Sequence, residues 1–466
     1  MDGAAVAVLD VGKSNVKLSA CTAAGHVVET LSTPNPVRPG PPWAYHDLDA
    51  LNPWVMQGLA ALCRRHPLTD VVATGHGSGG MLVADDPDAG GTGLVLPMVD
   101  YEQHLPPGLD EAYAPLAGSF FDRGSAVMMA ATHTARQMFW AETADPEGFA
   151  RARWCLGIPQ YWAWRLTGVA VSEASILGAQ SHLWNVHDRC WSPIVAARGW
   201  GRLMPPFARA ADVLGTVRPE VQARHGLPPL RVRAGGHDSS VSFHRYQAAG
   251  RDDVLGLSTG TWIVAMATGI DPARLDEARG MTLNADMEGR PLSGALTMGG
   301  REYSAVAGDQ PSEAHADPAC LARLVAQGSM ALPAFGTNDG QFPGHAGQGR
   351  LVGPAPENAE ERHALAVLYA ALLACACAGT LAPDRPWVLS GSFLRDPAFA
   401  GLVAALRPGR ATLADPEPYG IAAGAALLCR EDEARVPLSL TPVTPLALPG
   451  LAPYAARWRA LTGDTA

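Results

Sequence analysis

The hydrophobic pattern along the chain changes period repeatedly, and each change marks an element. Ala4 to Leu9 is a run of small and β-branched residues, the mark of a buried strand. Polar residues follow from Asp10 to Asn15, and apolar alternation resumes from Val16 to Ala20, so this segment predicts a β-hairpin. Residues 47–65 carry Leu48, Leu51, Val55, Leu59 and Leu62 at helical spacing. Asp70 to Thr74 predicts a short strand entering the glycine-rich loop Gly75 to Gly80. Ser125 to Glu142 and Gly157 to Leu166 predict helices. Farther on, Leu230 to Ala234 predicts a strand that ends in Gly235-Gly236-His237-Asp238. Val254 to Leu257 and Trp262 to Ala267 predict paired strands joined by Ser258-Thr259-Gly260-Thr261. A helix over 360–380, a strand from Trp387 to Leu389, and helices over Pro397–Leu406 and Gly420–Leu428 complete the pattern. The hairpin at residues 6–20 is echoed at 254–267, which points to duplicated domains. Strands alternating with helices give an α/β class.

At 466 residues the chain is too long for one core, so two domains are expected. The boundaries expected are 1–232 and 233–435, with a tail from 436 to 466. A net charge of −10 argues against a nucleic-acid binder, and any phosphate site must be built locally from backbone N–H groups. The eight cysteines are dispersed, with neither a CxxC pair nor zinc spacing, and read as buried free thiols in a reducing cytoplasm. The N-terminal apolar run has no basic segment before it and breaks at Asp10, unlike a signal peptide. Ala364 to Ala382 is apolar but rich in Ala and Cys, which fits a buried core helix better than a membrane span.

Four turns carry candidate chemistry. Asp10-Val11-Gly12-Lys13-Ser14-Asn15-Val16-Lys17 places a carboxylate at a strand end, a glycine for a close turn, and N–H groups that can form an anion nest. Lys17 would face a transferring phosphate, and a carboxylate near phosphates implies Mg²⁺ between them. An ordinary hairpin turn with a locally bonded Asp fits the same residues. Gly12-Lys13-Ser14 is not a Walker A loop, because Ala7 stands where its first glycine belongs. His76-Gly77-Ser78-Gly79-Gly80 is not a nucleophile elbow, because His76 replaces the required glycine. In the second turn, Asp238 could take a proton from a substrate hydroxyl, with His237 bonding another; a helix N-cap is the alternative use of that Asp. Leu257-Ser258-Thr259-Gly260-Thr261 and Leu389-Ser390-Gly391-Ser392-Phe393 are small-residue turns that permit close backbone approach to a nucleotide.

This ordered set resembles the FGGY carbohydrate kinases of the actin/hexokinase/Hsp70 superfamily. The stretch Gly157 to Gly168, ending Leu-Thr-Gly, fits as well, as do Glu173-Ala174-Ser175, Leu183-Trp184-Asn185 and Gly420 to Ala426. The resemblance implies two actin-like, ribonuclease H-like domains with a cleft between them, the first binding sugar and the second nucleotide. It implies ATP with Mg²⁺, a small-molecule sugar as partner, a cytoplasmic enzyme without nucleic-acid or membrane partners, and a homodimer as one assembly open to it. Read across, Asp238 is the catalytic base. Asp10, Gly12, Lys13, Ser14, Asn15, Lys17, Gly260, Thr261, Gly299, Gly300, Gly391, Ser392 and Phe393 hold the nucleotide. His76, Ser78, Tyr101, His237 and Asp238 meet the sugar, and Asp10 and Asp238 hold the metal. The chain departs from the family pattern at Lys13, where Thr is usual, and at Gly391-Ser392-Phe393, where three glycines are usual. The stretch 96–102 lacks the Trp and Asp-x-Arg of many xylulose and glycerol kinases. With the His-Asp pair it looks more like the rhamnulose branch, so rhamnulose or fuculose is the first expected sugar. Xylulose, ribulose or a polyol is the alternative, as is a non-catalytic binding member of the superfamily.

Overall fold

A computed structural model describes residues 3, 5–308, 315–337, 340–432 and 434–463; Ala4, where the first strand was expected to begin, lies outside them. The chain divides into two units: Met1–Gly250 with Leu283–Pro291 and Tyr419–Val436, and Arg251–Thr282 with Leu292–Pro418 and Pro437–Ala466.

In the first unit, β1 (Val6–Val11) pairs antiparallel with β2 (Asn15–Cys21), which pairs with β3 (Val27–Pro34). On its other side β1 runs parallel to β4 (Asp70–Gly75), and β4 to β5 (Arg231–Arg233). Strands β1 and β4 are central and covered on both faces, which is why every residue in them except Asp10 is buried and most are apolar. The helix Leu48–Arg65 sets Leu51, Val55, Leu59 and Leu62 into the same core, and Asp47 caps it by accepting from the Ala50 N–H at 3.0 Å.

The second unit repeats the plan. β6 (Leu255–Thr259) pairs antiparallel with β7 (Ile263–Thr268), and β7 with β8 (Pro291–Thr297). β6 runs parallel to β9 (Trp387–Gly391), and β9 to β10 (Thr412–Ala414). Both sheets thus have an antiparallel three-strand meander whose first strand opens the parallel half, and the echo between 6–20 and 254–267 is a repeat of topology. The helix Ala359–Leu381 is apolar and long enough to cross a membrane, but 83% of its most apolar window is buried in this unit.

Two expectations are corrected. The helix expected from Ser125 begins only at Thr134. Residues 125–133 form a loop whose polar groups are satisfied by side chains: His133 Nε2 accepts from the Met128 N–H at 2.7 Å, and Arg136 donates to the Met128 carbonyl at 2.6 Å. The first unit runs to residue 250, not 232, so Asp238 belongs to it. The reason is local: the helix α1 (Asp238–Ala248) packs on Gly420–Leu427, where a Cβ on Gly424 would stand 2.1 Å from the Val241 carbonyl oxygen. The tail, whose packing the sequence leaves open, joins the second unit: its helix Leu451–Thr462 buries Tyr454 and Trp458 in that core. Among the cysteines Cys190 is exposed and Cys63 and Cys375 are half-buried; the other five are buried, and all eight are free thiols.

Candidate active site

The first unit gathers its candidate residues at the carboxyl ends of parallel strands, the edge where open α/β sheets bind ligands. In register, Asp10 sits beside Thr74, and Thr74 beside Gly236; one step on, Val11, Gly75 and His237 form a second row. Asp238 follows as the first residue of α1. On the antiparallel side Asp10 faces Lys17 directly. The Asp10 carboxyl is pushed from 3.8 up to about 7, first by burial, then by the Asp238 charge, with Lys17 opposing. The turn between β1 and β2 closes with the Gly12 N–H donating to the Asn15 carbonyl at 3.0 Å. Asn35 fixes it from outside, donating through Nδ2 to the Gly12 carbonyl at 2.9 Å and through its N–H to the Ser14 carbonyl at 2.9 Å. Ser14 and Asn15 stay exposed at its tip.

Asp238 is held close to its own helix start. Its Oδ1 accepts from the Ser239 N–H at 2.5 Å and the Ser239 hydroxyl at 3.0 Å. The helix thus begins at Asp238 with His237 in the cap position, and the expected Asp cap is displaced by one residue. His237 Nε2 lies 3.2 Å from Asp238 Oδ1. The Ser240 hydroxyl donates to the Ala285 carbonyl at 2.8 Å, so His237 Nδ1 must be the donor to Ser240 Oγ at 3.1 Å. That tautomer leaves Nε2 facing the carboxylate, and the contact is a hydrogen bond when one proton lies between them. Burial lowers the imidazolium and Asp238 raises it. Behind this pair, Ser175 Oγ accepts from the His237 N–H at 3.0 Å and donates to Glu173 at 2.6 Å, fixing the backbone of the turn.

A second group lines the same unit. The His76 ring lies 5.2 Å from Tyr101 and 6.2 Å from His46. Among the described residues no group bonds the ring nitrogens of His76 or His46, and all four are shielded from solvent. Burial lowers His76 to about 3 and His46 to about 4, so both imidazoles are neutral at neutral pH. Each then offers one donor and one acceptor, the complement of a hydroxyl. The Lys13 ammonium is bound to the buried Asp100, stands 3.9 Å from Glu102, and lies 5.3 Å over the Tyr101 ring. It therefore points to this group as well as belonging to the β1–β2 turn. Ser78 uses its carbonyl to accept from Gln137 Nε2 at 3.0 Å. His46, Asp100 and the Glu173–Ser175 brace were not foreseen as site residues. Asp100 stands out as an acid directly after an apolar stretch, but no local pattern marks His46, whose role depends on a strand pair with residue 37.

In the second unit three turns converge on the end of β6. Thr259 pairs with Gly391 in register, and its hydroxyl donates to the Ser390 carbonyl at 2.7 Å and accepts from the Phe393 N–H at 3.3 Å. Gly391 has φ +94°, and a Cβ there would stand 2.0 Å from the Thr259 carbonyl oxygen. A Cβ on Gly300 would lie 2.7 Å from the Gly260 carbonyl oxygen, and the Gly300 N–H donates to the Thr261 carbonyl at 3.1 Å. Gly299 is as closely pressed, by Ile263. Ser392 reaches back toward the Thr259 carbonyl at 3.5 Å. Phe393 packs among aromatic rings, 5.6 Å from Tyr303 and 5.3 Å from Phe399.

Two family models match the chain: the FGGY family of carbohydrate kinases, N-terminal domain, over 110–243, and the carbohydrate kinase FGGY, C-terminal domain, over 253–437. The crystal structure of a carbohydrate kinase from Novosphingobium aromaticivorans is similar at 30% identity and TM-score 0.87, covering 100% of both chains. A xylulose kinase structure from Lactobacillus acidophilus shares the fold at 15% identity and TM-score 0.79, over 99% of this chain and 96% of its own. L-fuculokinase of Escherichia coli (strain K12) is 27% identical over 299 residues, 61% of each chain, so this chain spans under two thirds of that relative. The Escherichia coli xylulose kinase is 28% identical over 237 residues, 50% of this chain and 48% of its own. With two actin-like units of matching topology and family matches that fall in both, the chain belongs to the FGGY family of carbohydrate kinases.

Proposed function

We propose that this protein transfers the γ-phosphoryl group of ATP to a hydroxyl of a ketose, with 6-deoxyketoses such as L-fuculose and L-rhamnulose as first candidates. The observation that carries the reading is the grouping of Asp238 with the buried Asp10 on one side and, on the other, the neutral His76 ring, whose nitrogens meet no partner among the described residues. Asp238 accepts the hydroxyl proton as that oxygen attacks the γ-phosphorus and the bond to the ADP oxygen breaks. His237 Nε2, 3.2 Å from Asp238, is placed to share the proton that Asp238 takes up. His76, with Tyr101 against it, orients the sugar, and Lys17 places a positive charge beside Asp10. Nucleotide binding is assigned to Gly260–Thr261, Gly299–Gly300 and Gly391–Phe393, where glycines leave backbone open to phosphates.

Mg²⁺ fits the residues present. A buried Asp10 carboxyl with the Asp238 charge acting on it suits a divalent cation, and among the described residues no cluster of three or more metal-binding side chains exists. That donor set matches Mg²⁺, which takes one or two carboxylates and completes its shell with water and phosphate oxygens. Asp10 and Asp238 would hold it, and it would supply charge neutralisation at the phosphates.

The deoxyketose assignment is supported by the fuculokinase relatives and by the Asp100-Tyr101 stretch in place of a Trp and Asp-x-Arg pattern. A coupled assay of ADP release across L-fuculose, L-rhamnulose, D-xylulose, D-ribulose, D-gluconate and glycerol tests it. The highest kcat/KM is expected for one of the two deoxyketoses. A pentulose or polyol preferred by tenfold would overturn the substrate assignment, and ADP release with none of the six would overturn the kinase reading.

A further inference from the structure

Arginines 274, 279, 407, 410 and 459 all line one cavity of about 580 Å³ in the second unit. The cavity lies at the start of β9, around Trp387, and is closed by the C-terminal turns of the helices Ala359–Leu381, Pro397–Ala405 and Leu451–Thr462. It is separate from the turn at Gly391, which is four residues along β9 and hence about 13 Å away. Its volume is that of a small-molecule site, which commonly spans about 300–1,000 Å³.

Charge sets this cavity apart. The chain as a whole carries −10, yet this wall holds five guanidinium groups and a single carboxylate, Asp384. Asp384 is used by Arg410 at 2.7 Å. Cys375 does not offset the excess, because burial keeps it a neutral thiol despite Arg407 and Arg459 nearby. Arg407 is fixed: it stacks 3.5 Å over Trp387 and donates to the carbonyls of Pro383, Arg385 and Ala411. Burial pushes its guanidinium down to about 10, with Arg410 adding to the shift and Asp384 opposing it. Arg274 and Arg459 stand at the exposed rim, and among the described residues no carboxylate pairs with either.

We propose that this cavity binds a small phosphorylated anion. A phosphoryl group matches the planar fork of arginine with two parallel hydrogen bonds, and its two negative charges answer Arg274 and Arg459, with which no carboxylate among the described residues pairs. A volume of this size admits one small molecule, and the net charge of the chain opposes a nucleic acid.

The test is isothermal titration of the full chain with inorganic phosphate and with 3-phosphoglycerate, at low salt and with ATP present to occupy the nucleotide turns. The Arg274→Ala/Arg459→Ala variant is compared; both side chains are exposed, and its melting temperature without ligand checks folding. Wild type is expected to bind at least one probe, tenfold or more tightly than the variant, while KM for ATP changes less than twofold. Equal binding of both probes marks the free phosphate ion as ligand, and tighter 3-phosphoglycerate marks a phosphorylated metabolite; each supports the site. No binding to wild type, or equal affinity in the variant, overturns it.

Discussion

At the scale of single residues, Asp238 and Asp10 are two acids with different tasks. Replacing Asp238 with Asn keeps its shape but removes the proton acceptor. Turnover should fall by about 10²–10⁴-fold, the span of general base catalysis, with KM for the sugar within tenfold. Retention of a third of wild-type turnover contradicts the assignment. Asp10 makes a thermodynamic statement. Its folded-state pKa, about 7 against an ordinary 3.8, means the folded chain holds that proton more tightly than the unfolded chain. Its contribution is therefore full below about pH 4 and is lost as pH rises toward 7. Asp10→Asn has no such proton. Melting curves in metal-free buffer should show wild type losing ground to the variant between pH 5 and pH 8, by at least about 2–4 °C. Parallel curves would refute this. His76 has two ring nitrogens without a partner among the described residues. His76→Phe should raise KM for the sugar about 10–100-fold, the worth of one or two hydrogen bonds, while KM for ATP stays within twofold.

At the scale of elements, strand ends decide where chemistry is possible. The hairpins β1–β2 and β6–β7 were legible because buried apolar runs broken by short polar turns have few other solutions. Ser125–Glu142 was misread for the opposite reason: loop and helix share its composition, and His133 and Arg136 settle the matter by bonding backbone that a helix would have used. The Gly391 turn is the clearest case of an element fixed by its neighbour. Alanine there meets φ +94° and the Thr259 carbonyl together. Gly391→Ala should cost about 2–4 kcal/mol in urea unfolding. KM for ATP should rise with it; stability and KM both unchanged would show that the turn can relax.

At the scale of the molecule, the chain crosses between its units several times, and segments 283–291 and 419–436 return to the first. A linear division at 232 could not show this. The tail illustrates the same point. Rich in Leu and Pro, it gave no hint of its partner, yet Trp458 is buried beside Phe342 at 5.6 Å between ring centroids and donates to the Ala331 carbonyl at 2.8 Å. Trp458→Ala should destabilise the second unit by about 3–5 kcal/mol, read from its denaturation midpoint. A loss under 1 kcal/mol would show that the tail is dispensable.

The sequence by itself determined the α/β class, the duplicated hairpins and the residues at the turns, because these follow from local period, buried runs and glycine placement. Only tertiary structure decided that Asp238 joins Asp10 in one unit, that Lys13 turns to Asp100, and that His46 stands behind His76. Those are contacts between residues far apart in the chain, set by strand register and helix packing, and no local pattern encodes them. The same holds for the arginine-lined cavity, whose walls come from residues 274 to 459 and exist only once the helices close around Trp387.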